Sequence, residues 1–133
     1  MGLDGFFETT TLRYKGSLLN LSSVDINEKF SPIRKGLLEF VVLKIIAANQ
    51  VYVADILKEL NGTEFSTQEG TLYPLLSKMR REELVDYEWK ESDAGPPRKY
   101  YELTAKGREQ LRETADYWQT INSTIKSLGQ KSA

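Results

Sequence analysis

Residues 70–79 read GTLYPLLSKM, a helical pattern with a proline in its middle. Leu72, Leu75, Leu76 and Met79 recur at i, i+3, i+4 and i+7, the spacing of one buried helical face. Pro74 lacks an N–H and its ring presses on the carbonyl four residues back, a fault costing about 3 kcal/mol inside a helix. That carbonyl belongs to Gly70, which has no Cβ and adjusts cheaply. At about 100° per residue, the apolar residues fall on one side. Opposite them lie Thr67, Gly70, Thr71, Pro74, Ser77, Lys78 and Arg81, with Tyr73 and Arg80 on one flank. The proline thus belongs to an outward face that is small, hydroxylated and positively charged at its end. Small residues let a helix enter a groove closely, hydroxyls and tyrosine reach phosphates, and Lys or Arg reach guanine edges. The face suits DNA; the plainer alternative is a solvated surface with a harmless kink.

The neighbouring segments decide what this helix belongs to. Upstream, Ser31-Pro32 has the form of an N-cap followed by proline at the first helical position. Ile33 to Ala48 follows as a first helix with a wide apolar band, Leu37, Leu38, Val41, Val42, Ile45 and Ile46. Val53 to Leu60 is a shorter second helix, ended by Asn61-Gly62. Ser66-Thr67-Gln68-Glu69 has the S-x-x-E form of a capping box and predicts the start of the third, which runs to about Glu82. The period then changes to two. LVDYEWK and RKYYELT alternate as strands around a loop, ESDAGPP, and predict an antiparallel hairpin. Thr104 caps a long last helix with Leu111, Ala115, Trp118, Ile121 (or Asn122), Ile125 and Leu128 on one stripe. Residues 1–30 fit either two short strands around Lys15-Gly16 or a disordered arm.

Three helices, a hairpin and a helix is the order of a winged helix-turn-helix. The predicted fold class is mainly α with a small β-hairpin: a winged helix-turn-helix plus a C-terminal dimerisation helix. The domains expected are an arm at 1–30, a DNA-binding domain at 31–103 and a dimerisation helix with its tail at 104–133.

Composition narrows the function further. A chain of 133 residues, 40% hydrophobic and 28% charged, can bury one core. It has no cysteine and no histidine, so thiolate nucleophiles, zinc-thiolate sites and the commonest general base are excluded. No convergent carboxylate pair replaces them, so no catalytic residue, metal site or cofactor is expected. No apolar run approaches the roughly 20 residues needed to span a bilayer, and the N-terminus lacks the form of a secretory signal; the cytoplasm is the expected location. The net charge of −1 argues weakly against a nucleic-acid binder unless the basic groups gather on one face.

GTLYPLLSKMRREELV followed by GPPRKYYELTAKG resembles the PadR family of bacterial transcriptional regulators, over about residues 34–128. Two separate motifs agree in order: Gly70 to Pro74 in the third helix, and Arg98 to Thr104 in the hairpin. The resemblance implies a dimeric winged-helix repressor whose third helix enters the major groove of double-stranded DNA, on a palindromic operator, while the hairpin, or wing, touches the flanking backbone or minor groove. The DNA-contacting residues it points to are Thr67, Gly70, Thr71, Tyr73, Pro74, Ser77, Lys78 and Arg81, with Arg98 and Lys99 on the wing. The single C-terminal helix bearing Trp118 is similar to the smaller PadR subfamily. There, a tryptophan at this place implies a homodimer contact and an insertion site for a planar aromatic effector, with Leu111, Ile121 and Ile125 beside it. Trp118 as a plain core or dimer anchor is the alternative.

Three departures stand against the family pattern. Val53-Ala54 replaces the usual Gly-Tyr, Glu83 stands where glycine is usual, and residues 1–30 exceed the short subfamily's length. A left-handed backbone at Glu83 would cost roughly 1–2 kcal/mol, which predicts a different helix end. The competing function is a winged-helix protein-interaction module without DNA binding, which the acidic pI and Glu83 favour.

Overall fold

The computed structural model describes residues 13–14, 17–18 and 23–130. Its elements are β1 (Arg13–Tyr14), β2 (Ser17–Leu18), α1 (Ser23–Ala48), α2 (Val53–Leu60), α3 (Glu69–Arg81), β3 (Val85–Ser92), β4 (Gly95–Leu103) and α4 (Ala105–Ser127). The chain divides into two compact units, residues 1–35 and 36–133. In the first, β1 pairs antiparallel with β2, Arg13 opposite Leu18 and Tyr14 opposite Ser17. This is the strand alternative for the N-terminal segment; the rest of residues 1–22 lies outside the described residues.

The start of α1 corrects the sequence expectation. Pro32 does not open the helix but lies within it, nine residues after its first. Proline removes one ladder bond and leaves those on either side, so good helix formers such as Glu28 and Lys29 carry the helix across it.

The second unit holds the core. Val42, Leu43 and Ile46 of α1 meet Val53, Ile56 and Leu60 of α2 and Leu72, Leu76 and Met79 of α3. Leu84, Val85, Tyr101 and Leu103 close it from the hairpin side. α2 has the predicted bounds, and Gly62 beyond it takes φ of 82°, a left-handed turn that glycine makes without strain. The capping box predicted before α3 does not form. Ser66 N donates instead to Thr63 O, in a turn that packs Phe65 against the core, and Gln68 becomes the N-cap without a side-chain bond.

β3 and β4 pair antiparallel from Val85–Leu103 to Ser92–Gly95. The predicted seven-residue loop is a correction too: only Asp93 and Ala94 lie between the strands. Between the pairs Lys90–Arg98 and Ser92–Gly95 the register slips, so that Pro96 and Pro97 together face Glu91. Prolines bring no N–H to the ladder, and a bulge at a strand edge is where a sheet accepts them. Val51, ahead of α2, exchanges both backbone hydrogen bonds with Tyr101 and adds a one-residue third strand.

α3 ends in a left-handed residue after all. Glu83 has φ of 64°; its N–H donates to Arg80 O, and Leu84 N–H donates to Met79 O, both at 2.9 Å. These are the two bonds of a Schellman motif, completed by buried Leu84 against buried Met79. Long-range bonds hold the strained residue in place. The Thr104 hydroxyl donates to Glu83 O at 2.6 Å, and Thr104 N–H donates to Leu84 O at 3.0 Å. The same hydroxyl accepts from Gly107 N at 2.9 Å and so caps α4, as predicted. Gly107 is obligatory here, because a Cβ would stand 2.0 Å from Leu84 O.

Glu83→Gly should therefore stabilise the protein by about 0.5–1 kcal/mol, and Gly107→Ala should destabilise it by at least about 2 kcal/mol, both read from urea unfolding midpoints.

Candidate nucleic-acid interface

Helix α3 presents the face its sequence predicts. Leu72, Leu76 and Met79 are buried and Leu75 is half-buried against the core, while Gly70, Thr71, Tyr73, Pro74, Ser77, Lys78 and Arg81 are exposed. Thr67 is half-buried and precedes the helix, one residue before the N-cap. A Cβ on Gly70 would meet nothing within 4 Å, so nothing inside the chain demands glycine there.

The two flanks of α3 differ. Tyr73 and Arg80 face the wing: Arg80 lies 3.4 Å from Asp86 and 4.5 Å from the centroid of Tyr87. Lys78 faces α1, where its ammonium lies 3.0 Å from Glu39 and 3.1 Å from Glu82. Those hydrogen bonds raise the Lys78 pKa above the ordinary lysine value. Among the described residues Arg81 has no acidic partner.

On the wing, Arg98 and Lys99 follow one another in a strand and so emerge on opposite faces. Lys99 stands over Tyr87 at 4.5 Å and Trp89 at 5.5 Å. Arg98 stands over Tyr52 at 4.4 Å, and Tyr52 in turn contacts Tyr100. Each cation thus rests on an aromatic ring, which holds it extended without neutralising it. Both border a cleft of about 530 Å³ between α3 and the wing, which Tyr52, Tyr73, Trp89 and Pro97 also line. Deeper on the hairpin, burial raises the Tyr101 phenol above its usual range and keeps it protonated, with Tyr73 and Tyr87 adding to the shift.

Acidic groups stand close to these cations: Glu69 of α3 also lines the cleft, and Arg98 borders a further pocket with Glu91 and Asp93 at the wing tip. Glu88 and Glu102 both accept hydrogen bonds from the Gln50 side-chain amide, which also accepts from Lys90. Asp86 and Glu102 are a like-charged cross-strand pair, relieved by Arg80 on one side and Gln50 on the other.

Sequence reasoning missed Tyr52, Tyr87 and Trp89 as partners of the basic residues. Trp89 is 61% exposed, and its place in an alternating strand had marked it only as one side of the hairpin. On α4, Trp118 is 41%, Ile125 64% and Leu128 69% exposed, and Ile121 is half-buried. Leu111 is half-buried and packs against the chain's own core, where the first turns of α4 lie beside the hairpin root. Among the described residues no group of acidic side chains could hold a metal ion, and no helix is long and apolar enough to cross a membrane.

Comparison with known proteins agrees with this geometry. Residues 42–113 match the transcriptional regulator PadR-like family, and the chain belongs to that family. A PadR-like transcriptional regulator from Bacillus cereus is 39% identical, with a TM-score of 0.67, over 76% of this chain and 99% of that one. A PadR family regulator from Eggerthella lenta is 25% identical, with a TM-score of 0.72, over 83% and 96%. An uncharacterised protein from Lysinibacillus sphaericus is 26% identical over 98 residues, 71% of this chain and 90% of its own length. The protein is a transcriptional regulator of the PadR family with a winged-helix fold.

The face assignment has a direct check. Leu76→Ala should cost about 2–5 kcal/mol in thermal or urea unfolding, whereas Thr71→Ala and Arg81→Ala should stay within about 0.5 kcal/mol. Gly70→Ala should gain up to about 1 kcal/mol in helix propensity, since a methyl group there would meet nothing within 4 Å.

Proposed function

We propose that the protein is a sequence-specific DNA-binding repressor that works in the cytoplasm as a homodimer on a palindromic operator. The observation that carries this reading is the cleft between α3 and the wing, bordered by Arg98, Lys99, Tyr73 and Trp89 and continuous with the exposed face of α3. A helix in the major groove and a hairpin reaching the adjacent minor groove must straddle one sugar-phosphate strand. The cleft is the place for that strand: cations for phosphates, tyrosine hydroxyl for phosphate oxygens, aromatic surface for sugars. Thr71, Pro74, Ser77 and Arg81 then face base edges, with Arg81 able to take guanine in bidentate fashion. Thr67 and Gly70 lie where the helix start approaches the backbone. No step is covalent, and the protein acts by occupancy.

The last turns of α4 support assembly. Tyr117, Trp118, Ile125 and Leu128 leave a mostly apolar surface that the chain itself does not cover. Two-fold pairing is the commonest closure for such a surface, and it would set two α3 helices at the half-site spacing of about 34–36 Å. A planar aromatic compound inserted beside Trp118 would alter that spacing and release the operator.

Three experiments test this. Arg98→Ala combined with Lys99→Ala should weaken binding to all duplexes alike and reduce the salt slope by about one unit per lost phosphate contact. An unchanged slope would remove the wing from the interface, and a wild-type protein with no salt-dependent DNA binding would favour the protein-interaction alternative. Light scattering should give a dimer at micromolar concentration. Saturable quenching of Trp118 fluorescence by planar aromatic compounds should vanish in Trp118→Ala while operator binding survives; quenching that persists comes from Trp89.

A further inference from the structure

The third helix ends with three basic residues, yet only one of them is free of a counter-charge. Arg80 is held by Asp86 and Lys78 by Glu39 and Glu82, whereas Arg81 has no acidic partner among the described residues. The Lys78 cluster is not the accident of one flexible pair. Glu39 reaches it from α1, thirty-nine residues earlier in sequence, and its side chain is only 25% exposed. Glu82 is the C-cap of α3, where the helix dipole disfavours a negative charge, so Lys78 is its natural counter-ion. The ammonium donates to Glu39 Oε1 at 3.0 Å and to Glu82 Oε1 at 3.3 Å.

A lysine at this position on a groove-entering helix is within reach of a phosphate strand, and such a contact carries no sequence information. We infer that Glu39 is an affinity-limiting residue of the interface: with Glu82 it holds Lys78 off the DNA backbone and keeps the sequence-independent, salt-dependent part of the affinity low. This rests on the DNA-binding reading above, and it removes Lys78 from the contacts that the sequence suggested. Such a contact would add to operator and random duplex alike, so withholding it lowers the salt-dependent part of the affinity on every sequence. Unlike Asp86, which meets Arg80 on the wing flank, Glu39 acts from the α1 flank.

The test is a double-mutant cycle on a random-sequence duplex of about 25 base pairs, long enough to cover two half-sites one helical turn apart, titrated at several salt concentrations. Glu39→Gln should raise affinity about two- to five-fold at low salt, the range of one exposed ion pair, and steepen the salt slope by about 0.9, one phosphate contact. Glu82→Gln, the second variant should the first fold poorly, should act in the same direction. Lys78→Gln alone should leave the slope unchanged, and in that background Glu39→Gln should do nothing further. Glu113→Gln, on α4, carries the same change in net charge and should not alter the slope. If Glu39→Gln acts equally with and without Lys78, or if Glu113→Gln matches it, general electrostatics explain the effect and the inference is overturned. If Lys78→Gln alone flattens the slope, Lys78 already touches DNA and the inference again fails. Wild-type protein that binds no duplex would instead overturn the DNA-binding reading itself.

Discussion

The carbonyl of Leu84 is the joint on which the molecule turns. It accepts from both the backbone and the hydroxyl of Thr104 and lies against Gly107, where a methyl group would not fit. One residue earlier, Glu83 is held left-handed and gives its own carbonyl to the Thr104 hydroxyl. Four residues, Glu83, Leu84, Thr104 and Gly107, thus fasten together the end of α3, the two residues flanking the wing and the start of α4. The Schellman turn aims the wing back along α3, and that return path creates the cleft. A glycine at 83 would make the same turn with less strain, but Thr104 holds a glutamate there.

A protein of near-zero net charge can still present basic groups locally, through the way its side chains are held. Three devices do so here. Aromatic rings hold Arg98 and Lys99 outstretched toward the cleft. Gln50 gathers Glu88 and Glu102 on the hairpin's outer surface. Carboxylates from α1 and from the helix end take up Lys78. The net charge of −1 hides this arrangement, in which Arg98 shares a hairpin face with Glu88 and Glu102 and Glu69 lines the cleft with both wing cations.

Much of this was legible in the sequence, and the exceptions share a cause. The bounds of α2, the buried side of α3, the two strands and the Thr104 cap follow from periodicity and local hydrogen-bonding chemistry, which act within a few residues. The start of α1 was misread because a proline rule that holds on average met a helix able to lose one bond. The wing loop was too long because Pro96 and Pro97 look like turn residues, whereas a bulge lets a strand absorb them. Glu83 looked like a broken cap because the Thr104 bonds that hold it come from twenty-one residues away. The same limit hid the pairing of Lys78 with Glu39: a helical wheel gives a side chain's direction, not what another helix brings to meet it.

Mechanically, α4 is a pointer pivoted at one end. Twenty-three residues at 1.5 Å each make a rod of about 35 Å, and its hinge is the tight contact of Gly107 with Leu84. A rotation of roughly 5° there would sweep the far end through about 3 Å, taking the rod length from the helical rise. Read in reverse, a displacement of a few ångströms at the tip returns to the hinge as a few degrees, applied beside the last turn of α3. The close fit at Gly107 leaves little slack, so such a motion passes through the joint instead of being lost in it. Geometry of this kind converts a coarse movement at the far end of α4 into a fine rotation beside the end of α3.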